Sequence, residues 1–182
     1  DGLGFRIVPA RVVAALLPEL RRISYEWLRD RSTAEKGFSL GRFSESYLRH
    51  FPVAVVEHQG AVVGFANLWS SDTLEELSVD LMRHASAAPR GVMDFLFIEL
   101  MLWGRAQGYR WFNLGMAPLA GLEEHRLAPA WHKVGRFVYR HGEEFYNFEG
   151  LRQYKEKFLP EWRPRYLAAP GRLALPRVLL DV

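Results

Sequence analysis

Two runs of β-branched and apolar residues, joined by a short turn, constrain the fold of this chain more than any other feature. The first run is FPVAVVE at 51–57, the second is AVVGFANLW at 61–69, and the turn HQG at 58–60 lies between them. Val, Ile, Phe and Trp favour strands, and a short glycine-containing connection between two such runs is typical of a hairpin. The sequence therefore predicts an antiparallel β-hairpin over residues 51–69.

Periodicity elsewhere predicts helices and strands around this hairpin. Apolar residues recur at helical spacing over about residues 10–30, which predicts one long amphipathic helix. The remaining predicted elements are, in chain order, a strand at 75–83 (EELSVDLMR), a helix with Met93, Leu96, Phe97, Leu100 and Met101 on its buried face that ends near Gly108, a strand at 111–116 (WFNLGM), a helix marked by Leu127, Trp131, Val134, Phe137 and Val138, a short basic helix at 151–158, and an extended segment near 166–168.

The order of these elements predicts an α/β domain. Three meandering strands are followed by a helix and a further strand, and a strand, helix and strand of this size normally form a parallel crossover unit. The result is a mixed sheet flanked by helices on both faces, the layout of the GCN5-related N-acetyltransferase fold. With 182 residues, we expect one domain around a single core.

Composition excludes several classes of site. The chain has no cysteine, which excludes disulfide scaffolds, thiolate metal sites and a cysteine nucleophile. Its six histidines show no HExxH spacing, so we predict no metal site. We also predict no other cofactor. The longest apolar stretch, at 92–103, contains Asp94 and Glu99 and is too short to span a bilayer. The first residues lack a signal-peptide pattern, and the absence of an initiator methionine suggests a piece of a longer chain.

Charge is distributed unevenly along the chain. Residues 126–177 contain 11 basic and 5 acidic side chains, whereas the whole chain carries a net charge of +3. Most of the cations are arginine, which forms forked hydrogen bonds to phosphate and stacks on aromatic rings. A polyanionic partner such as RNA or anionic lipid is one interpretation, and a solvated basic surface is the other.

Four ordered motifs carry a family resemblance. They are GFSLGRF at 37–43, VDLMR at 79–83, FNLGMAPLAGL at 112–122 and YNFEGLRQYKEKFLPEWRPRYL at 146–167. Together they resemble the C-terminal synthase region of phosphatidylglycerol lysyltransferases, the multiple peptide resistance factor family, and of their alanyl-transferring relatives. The resemblance implies that this is the second copy of a tandem acetyltransferase-like fold, preceded in the full-length chain by a first copy and commonly by a membrane-spanning flippase.

The same resemblance implies an activity. Members of the family move a lysyl or alanyl group from aminoacyl-tRNA to a hydroxyl of phosphatidylglycerol at the cytoplasmic face of the bacterial inner membrane, which changes membrane charge and protects against cationic peptides. The sequence also lacks the glycine-rich turn that binds coenzyme A, which agrees with a donor carried by transfer RNA. Acetyltransferases of this fold hold coenzyme A on a glycine-rich turn before the central helix, but residues 83–94 read RHASAAPRGVMD, with one glycine and with Pro89 removing an amide.

The resemblance also selects candidate catalytic residues. Asp80 and Arg83 lie in the DLMR motif and Lys155 in YKEKF. Asp80 would bind the α-ammonium of the aminoacyl group or act as a base, and the two cations would stabilise an oxyanion, a carbonyl or a phosphate. The alternative for these three residues is an ordinary surface salt bridge. Residues three apart on a regular strand face opposite sides, so we expect either a bulge near Asp80 or a strand that ends before Arg83.

Five further residues are candidate substrate contacts. Asn113 would orient a carbonyl and Gly115 would let backbone approach a substrate, or both simply form a turn after a strand. Glu149 is either an N-terminal helix cap or a second carboxylate of the site. Lys157 would contact phosphate or helix-end carbonyls, with plain solvation as its alternative. Arg152 belongs to a basic stretch interleaved with aromatic rings, which suits lipid headgroups or an RNA end.

These observations favour an aminoacyltransferase that needs no metal or coenzyme. Two rival functions remain at this point. One is an acyl-coenzyme A-dependent transferase of the same fold, and the other is a non-catalytic module that binds transfer RNA or lipid. The sequence also leaves open whether this fragment alone is active and which amino acid is transferred.

Overall fold

In a computed structural model, the structure describes residues 2–30, 42–117 and 148–166. These residues belong to two compact units. The first contains the described residues up to Asn113, and the second contains those from Leu114 to Tyr166.

The first unit is built from a sheet and its covering helices. Its elements are β1 Leu3–Val8, α1 Ala10–Val13, a 3₁₀ turn at Ala14–Leu16, α2 Leu17–Asp30, α3 Glu45–Leu48, β2 Val53–His58, β3 Ala61–Ser70, β4 Glu76–His84, α4 Val92–Gln107 and β5 Trp111–Asn113. The second unit contains α5 at Phe148–Glu156.

The sheet has the strand order β1-β2-β3-β4-β5. Its first four strands are antiparallel neighbours, and β5 pairs with β4 in parallel after the crossover through α4. The predicted hairpin is confirmed as β2 and β3. Its two loop residues, Gln59 and Gly60, have φ angles of 51° and 80°, the left-handed pair that fits the twist of a hairpin.

Helices cover both faces of the sheet. Alternate strand residues divide into two apolar cores: Val53, Val55, Phe65 and Leu81 pack with α1, α2 and α3, whereas Ala54, Val56, Ala66 and Leu68 pack with α4. We call these sides the α2 face and the α4 face. The predicted α/β class, with a mixed acetyltransferase-like sheet flanked by helices, is confirmed. The prediction that it is the second copy of a tandem fold stays a prediction, as does the single-domain boundary.

The structure adds one strand that the prediction lacked. β1 pairs with β2 along its whole length and is an edge strand of the sheet formed by the described residues. Leu3, Phe5 and Ile7 alternate with polar or small residues and pack on the α4 face. That two-residue period was the available signal, because alternating side chains of a strand point to opposite faces.

Several predicted boundaries shift. The helix predicted at 10–30 is helical throughout but tightens into the 3₁₀ turn. The helix predicted at 151–158 instead spans Phe148–Glu156, and β5 is shorter than the strand predicted at 111–116. The helix predicted around 127–138 lies outside the described residues. Residues 167 and 168 of the predicted late extended segment also lie outside the described residues, and Tyr166 is in no strand.

Candidate functional site

A β-bulge lies at the centre of the candidate site. The register between β3 and β4 slips by one residue between the pairs Ala66 with Met82 and Leu68 with Val79. Asp80 and Leu81 of β4 therefore lie opposite the single residue Asn67 of β3. A bulge of this kind changes which side chains share a face, as the spacing of Asp80 and Arg83 required.

Asn67 supports the bulge with its side chain. Its Oδ1 accepts a hydrogen bond of 2.8 Å from the backbone N–H of Leu81. Asn67 is fully buried, and its Nδ2 finds no acceptor with hydrogen-bond geometry among the described residues. Buried amides are nearly always paired, so Nδ2 is a candidate donor to a bound polar group.

Asp80 is held through one carboxylate oxygen. The hydroxyl of Tyr47 donates to Asp80 Oδ2 at 2.8 Å, and the same hydroxyl accepts a 2.7 Å bond from the indole N–H of Trp69. The other oxygen, Asp80 Oδ1, is buried, and no described residue donates to it. Burial raises the pKa of Tyr47, and its bond to Asp80 raises it further, so Tyr47 remains a neutral donor around pH 7.

Arg83 is buried on the same face as Asp80. Its guanidinium carbon lies 3.8 Å from the ring centroid of Trp27, which belongs to α2. Asp80 reaches Tyr47, which packs against the apolar core of the α2 face. Both charged side chains therefore point to the α2 face, because the extra residue of the bulge compensates for their odd spacing.

In the second unit, Lys155 is buried on α5. It is 7% exposed, and its Nζ donates to the backbone carbonyl of Met116 at 2.6 Å. No carboxylate of the described residues forms an ion pair with it. Burial lowers the pKa of Lys155 to about 8, because removing water disfavours the charged ammonium. A depressed pKa of this kind is characteristic of functional lysines.

Gly115 passes close to this ammonium. Its φ of +76° lies in the left-handed region, and a Cβ at this position would lie 3.6 Å from Lys155 Nζ. The sequence suggested that Gly115 allows backbone to approach a substrate. What the structure shows is backbone beside Lys155, in a conformation that glycine adopts without strain.

Asn113 ends β5, but not beside Asp80. β5 pairs in parallel with Glu76–Ser78 of β4, so the ladder between the described residues ends two residues before Asp80. The short strand ends before it reaches that part of β4. Asn113 Nδ2 donates to the Glu76 carboxylate at 3.0 Å, a cross-strand contact at the surface.

The remaining predicted residues lie on or just after α5. The helix begins at Phe148, so Glu149 lies in its first turn rather than at the N-cap position; its side chain is outside the described residues. Arg152 binds Glu156 at 2.8 Å. Lys157 follows the helix end and is exposed, with its Nζ 4.9 Å from the ring centroid of Tyr154.

The junction between β4 and α4 forms local turns. The N–H of Ala88 bonds to the carbonyl of Ala85, and the N–H of Val92 bonds to that of Pro89. Pro89 itself has no N–H. These bonds occupy two amides that a phosphate-binding turn would present to its ligand.

Sequence reasoning missed three residues of the site: Tyr47, Asn67 and Trp69. Asn67 carried a signal, since it is a lone amide within an apolar strand run. Tyr47 carried none, because it contacts a residue 33 positions away. Among the described residues, no cluster of three potential ligands could hold a metal ion, and no helix has the length and apolarity needed to cross a bilayer.

Comparison with known proteins identifies relatives over nearly the whole chain. The family model described as "Phosphatidylglycerol lysyltransferase, C-terminal" matches residues 1–169. A phosphatidylglycerol lysyltransferase of Bacillus subtilis (strain 168) is 44% identical over 155 residues, 85% of this chain and 18% of that protein. One of Staphylococcus haemolyticus is 35% identical over 164 residues, 90% of this chain and 19% of that protein.

Two solved structures resemble the whole chain. One is the C-terminal domain of a protein described as a lysylphosphatidylglycerol synthetase from Agrobacterium fabrum, with 43% identity, a TM-score of 0.83 and coverage of 100% of this chain. The other is L-PGS from Bacillus licheniformis, with 39% identity, a TM-score of 0.81 and 99% coverage. This chain spans 54% of each of those chains and about a fifth of the curated relatives.

Proposed function

This chain belongs to the family of phosphatidylglycerol lysyltransferase C-terminal domains, and from that premise we propose that it forms part of an aminoacyltransferase acting on phosphatidylglycerol. The donor is an aminoacyl-tRNA carrying a lysyl or alanyl group, and the acceptor is a hydroxyl of the lipid. The reaction takes place at the cytoplasmic face of the bacterial inner membrane. It makes the membrane less anionic and so confers resistance to cationic peptides.

The proposed reaction exchanges one ester for another. The acceptor hydroxyl forms a new bond to the aminoacyl carbonyl carbon, and the ester bond to the ribose of transfer RNA breaks. The proton of the acceptor hydroxyl is transferred to the ribose oxygen that leaves. Such a reaction needs a group that binds the α-ammonium, donors for the oxyanion of the tetrahedral intermediate, and a route for that proton.

The observation that carries the proposal is the state of the Asp80 carboxylate. Tyr47 fixes one oxygen, and the other is buried without a donor among the described residues. A buried carboxylate oxygen without a hydrogen bond is destabilising, and an ammonium is the ligand that relieves this most effectively. We therefore assign Asp80 to recognition of the aminoacyl ammonium. The neighbouring Asn67 Nδ2 is a donor suited to the carbonyl of the same group.

Arg83 and Lys155 are proposed to stabilise negative charge. Arg83 is held against Trp27, and Lys155 has a single carbonyl partner among the described residues. Burial strengthens the interaction of a cation with an oxyanion, because little water competes for either charge. We assign Lys155 to the oxyanion and Arg83 to a carbonyl or phosphate.

Secondary contacts are proposed for five residues. Arg152 and Lys157 lie on and after α5 and are suited to phosphate, and Glu149 in the first turn would add a second carboxylate. Asn113 would bind substrate only by exchanging its contact with Glu76. Gly115 contributes by letting backbone pass beside Lys155.

We propose that transfer proceeds without coenzyme A. The internal bonds at Ala88 and Val92 support this, because they leave fewer amides for a pyrophosphate. Isothermal calorimetry with acetyl coenzyme A tests the point. Micromolar binding would favour the acyl-coenzyme A-dependent transferase instead.

The test of the function is lipid analysis with the complete enzyme. Cells that lack aminoacylated phosphatidylglycerol are given the full-length gene, and their lipids are separated by thin-layer chromatography. We expect a new, more basic phosphatidylglycerol derivative that depends on Asp80. If the lipid profile is unchanged while the 182-residue chain binds transfer RNA on filters, the chain is a binding module rather than part of a transferase.

A further inference from the structure

The segment that follows α5 exposes apolar side chains beside arginines. Leu159 is 91% exposed, Tyr166 is 88% exposed and Trp162 is 44% exposed. Arg163 and Arg165 lie between these aromatic residues and are also exposed. We call residues 159–166 the post-helix segment.

Leu159 is unusual in two independent respects. Its φ is +49°, in the left-handed region, and its N–H donates to the carbonyl of Glu156, the last residue of α5. Glycine or asparagine normally occupies such a helix-ending position, because other side chains are strained there. A leucine at this position is strained, and its side chain is almost wholly in water. A leucine at position 159 therefore serves neither the end of the helix, where glycine would be less strained, nor the apolar core.

The charge of the region complements an anionic surface. Residues 148–166 contain five basic and three acidic side chains, a net charge of +2. Two of the acids are already paired: Glu156 with Arg152 at 2.8 Å and Glu161 with Arg163 at 2.9 Å. These pairs reduce the repulsion that the two carboxylates would exert on lipid phosphates.

The side-chain chemistry distinguishes between lipid and RNA. Tryptophan and tyrosine prefer the boundary between headgroups and acyl chains, and arginine extends from such a boundary to phosphate. An exposed leucine gains free energy by leaving water for the acyl region. It offers nothing to RNA, since an aliphatic side chain neither stacks on a base nor binds phosphate.

We propose that the post-helix segment is the surface through which this unit contacts an anionic phospholipid bilayer. Leu159, Trp162 and Tyr166 enter the interfacial region, and Arg163 and Arg165 bind lipid phosphates. This inference rests on the proposed function, because it names the surface that meets a bilayer presenting the acceptor lipid.

Sedimentation with vesicles tests the surface directly. The 182-residue chain is mixed with vesicles of phosphatidylglycerol and phosphatidylcholine, or of phosphatidylcholine alone. We expect Leu159→Ala to weaken partitioning about tenfold on the mixed vesicles, because it removes apolar area without changing the backbone strain. Arg165→Gln should weaken it about fivefold, and added salt should reduce that difference.

Matched controls come from the outer face of α4. Leu102 is 55% exposed and Arg105 is exposed on the same helix. Leu102→Ala and Arg105→Gln should bind vesicles like the parent chain. Circular dichroism and thermal unfolding of all four variants establish that each retains the fold, as expected for exposed positions.

Turnover separates this inference from the proposed function. In the complete enzyme, Leu159→Ala should reduce transfer to phosphatidylglycerol in vesicles but not to a short-chain, monomeric phosphatidylglycerol. If the parent enzyme modifies neither lipid while the chain still binds vesicles through the post-helix segment, the proposed function fails and the surface stands. If Leu159→Ala and Arg165→Gln bind vesicles like the parent chain, or lose only transfer RNA binding on filters, the proposal that the post-helix segment contacts the bilayer is wrong.

Discussion

The two compact units hold their buried charged groups in different ways. In the first unit, Asp80 is fixed by a tyrosine that is itself fixed by a tryptophan, on a strand whose bulge is supported by Asn67. In the second unit, Lys155 is buried on a short helix and donates to the backbone carbonyl of Met116. Within the part of the chain that the structure describes, Asp80 belongs to a hydrogen-bond network, whereas Lys155 makes this one hydrogen bond.

The different surroundings of Asp80 and Lys155 suit the two side chains to different roles. A carboxylate held by a network keeps a fixed direction, which suits recognition of a ligand of defined shape. The pKa of Lys155 is lowered because burial removes water from its ammonium. An anion that binds next to such a lysine stabilises the charged form. The following predictions test this contrast.

The largest effect is expected at Asp80. Asp80→Asn preserves size and an acceptor for Tyr47 but removes the negative charge. If Asp80 binds the ammonium, kcat/KM for aminoacyl transfer by the complete enzyme should fall about 100-fold, the scale for loss of a key electrostatic contact. Steady-state transfer assays measure this.

The control for Asp80 is Asp72, an exposed acid in the turn between β3 and β4. Asp72→Asn should leave kcat/KM unchanged, because an exposed charge in a turn interacts weakly with other charges. Equal rates for Asp80→Asn and the parent enzyme would remove Asp80 from the site.

Lys155 is expected to affect stability and activity in opposite directions. Its folded pKa of about 8 lies below the ordinary 10.5, so the unfolded chain binds more protons between these values. The free energy of unfolding should therefore rise from about pH 8 to pH 10.5, by at most about 3 kcal/mol for a shift of this size. Denaturant titrations at several pH values measure it.

Lys155→Met removes this pH dependence. At pH 7 the variant should be about 1–2 kcal/mol more stable, because the free-energy cost of burying the ammonium is larger than the contribution of its hydrogen bond to Met116. Transfer activity should fall, and transfer by the parent enzyme should decline as pH rises through about 8. A variant that is less stable at pH 7 would contradict the inferred cost of burying Lys155.

The bulge gives a stability effect of intermediate size. Asn67→Leu leaves the buried N–H of Leu81 without an acceptor, which should lower the free energy of unfolding by about 1–3 kcal/mol. Asn113→Ala is the comparison, since its amide meets Glu76 at the surface. That change should cost less than about 0.5 kcal/mol. Equal losses in urea unfolding would mean that Asn67 does not support the bulge.

How far the sequence predicts this molecule depends on how local each feature is. The hairpin, α4 and the parallel strand after it follow from periodicity, which is readable within a dozen residues. The odd spacing of Asp80 and Arg83 predicted a bulge or an early strand end, and the structure decides for the bulge. The strand β1 was missed even though its alternation was visible.

The site was less predictable because its contacts are distant in sequence. Family motifs selected Asp80, Arg83 and Lys155, but the contact of Tyr47 with Asp80 joins residues that only the folded sheet brings together. The burial of Lys155 was also hidden, since lysine on an amphipathic helix normally faces water.

The smallest expected effect tests how the second unit positions its lysine. Gly115 has a φ of +76°, and a Cβ there would lie at ordinary contact distance, 3.6 Å, from Lys155 Nζ. Gly115→Ala should therefore lower the free energy of unfolding by about 1 kcal/mol through backbone strain rather than through a clash. Gly60→Ala in the β2–β3 turn is the control, because its φ is +80° and no atom lies within 4 Å of the added Cβ. Equal losses for the two variants in urea unfolding would mean that strain alone is at work. A distinctly larger loss for Gly115→Ala, together with a lower pH at which Lys155 titrates, would mean that the backbone at 115 also sets the environment of the ammonium.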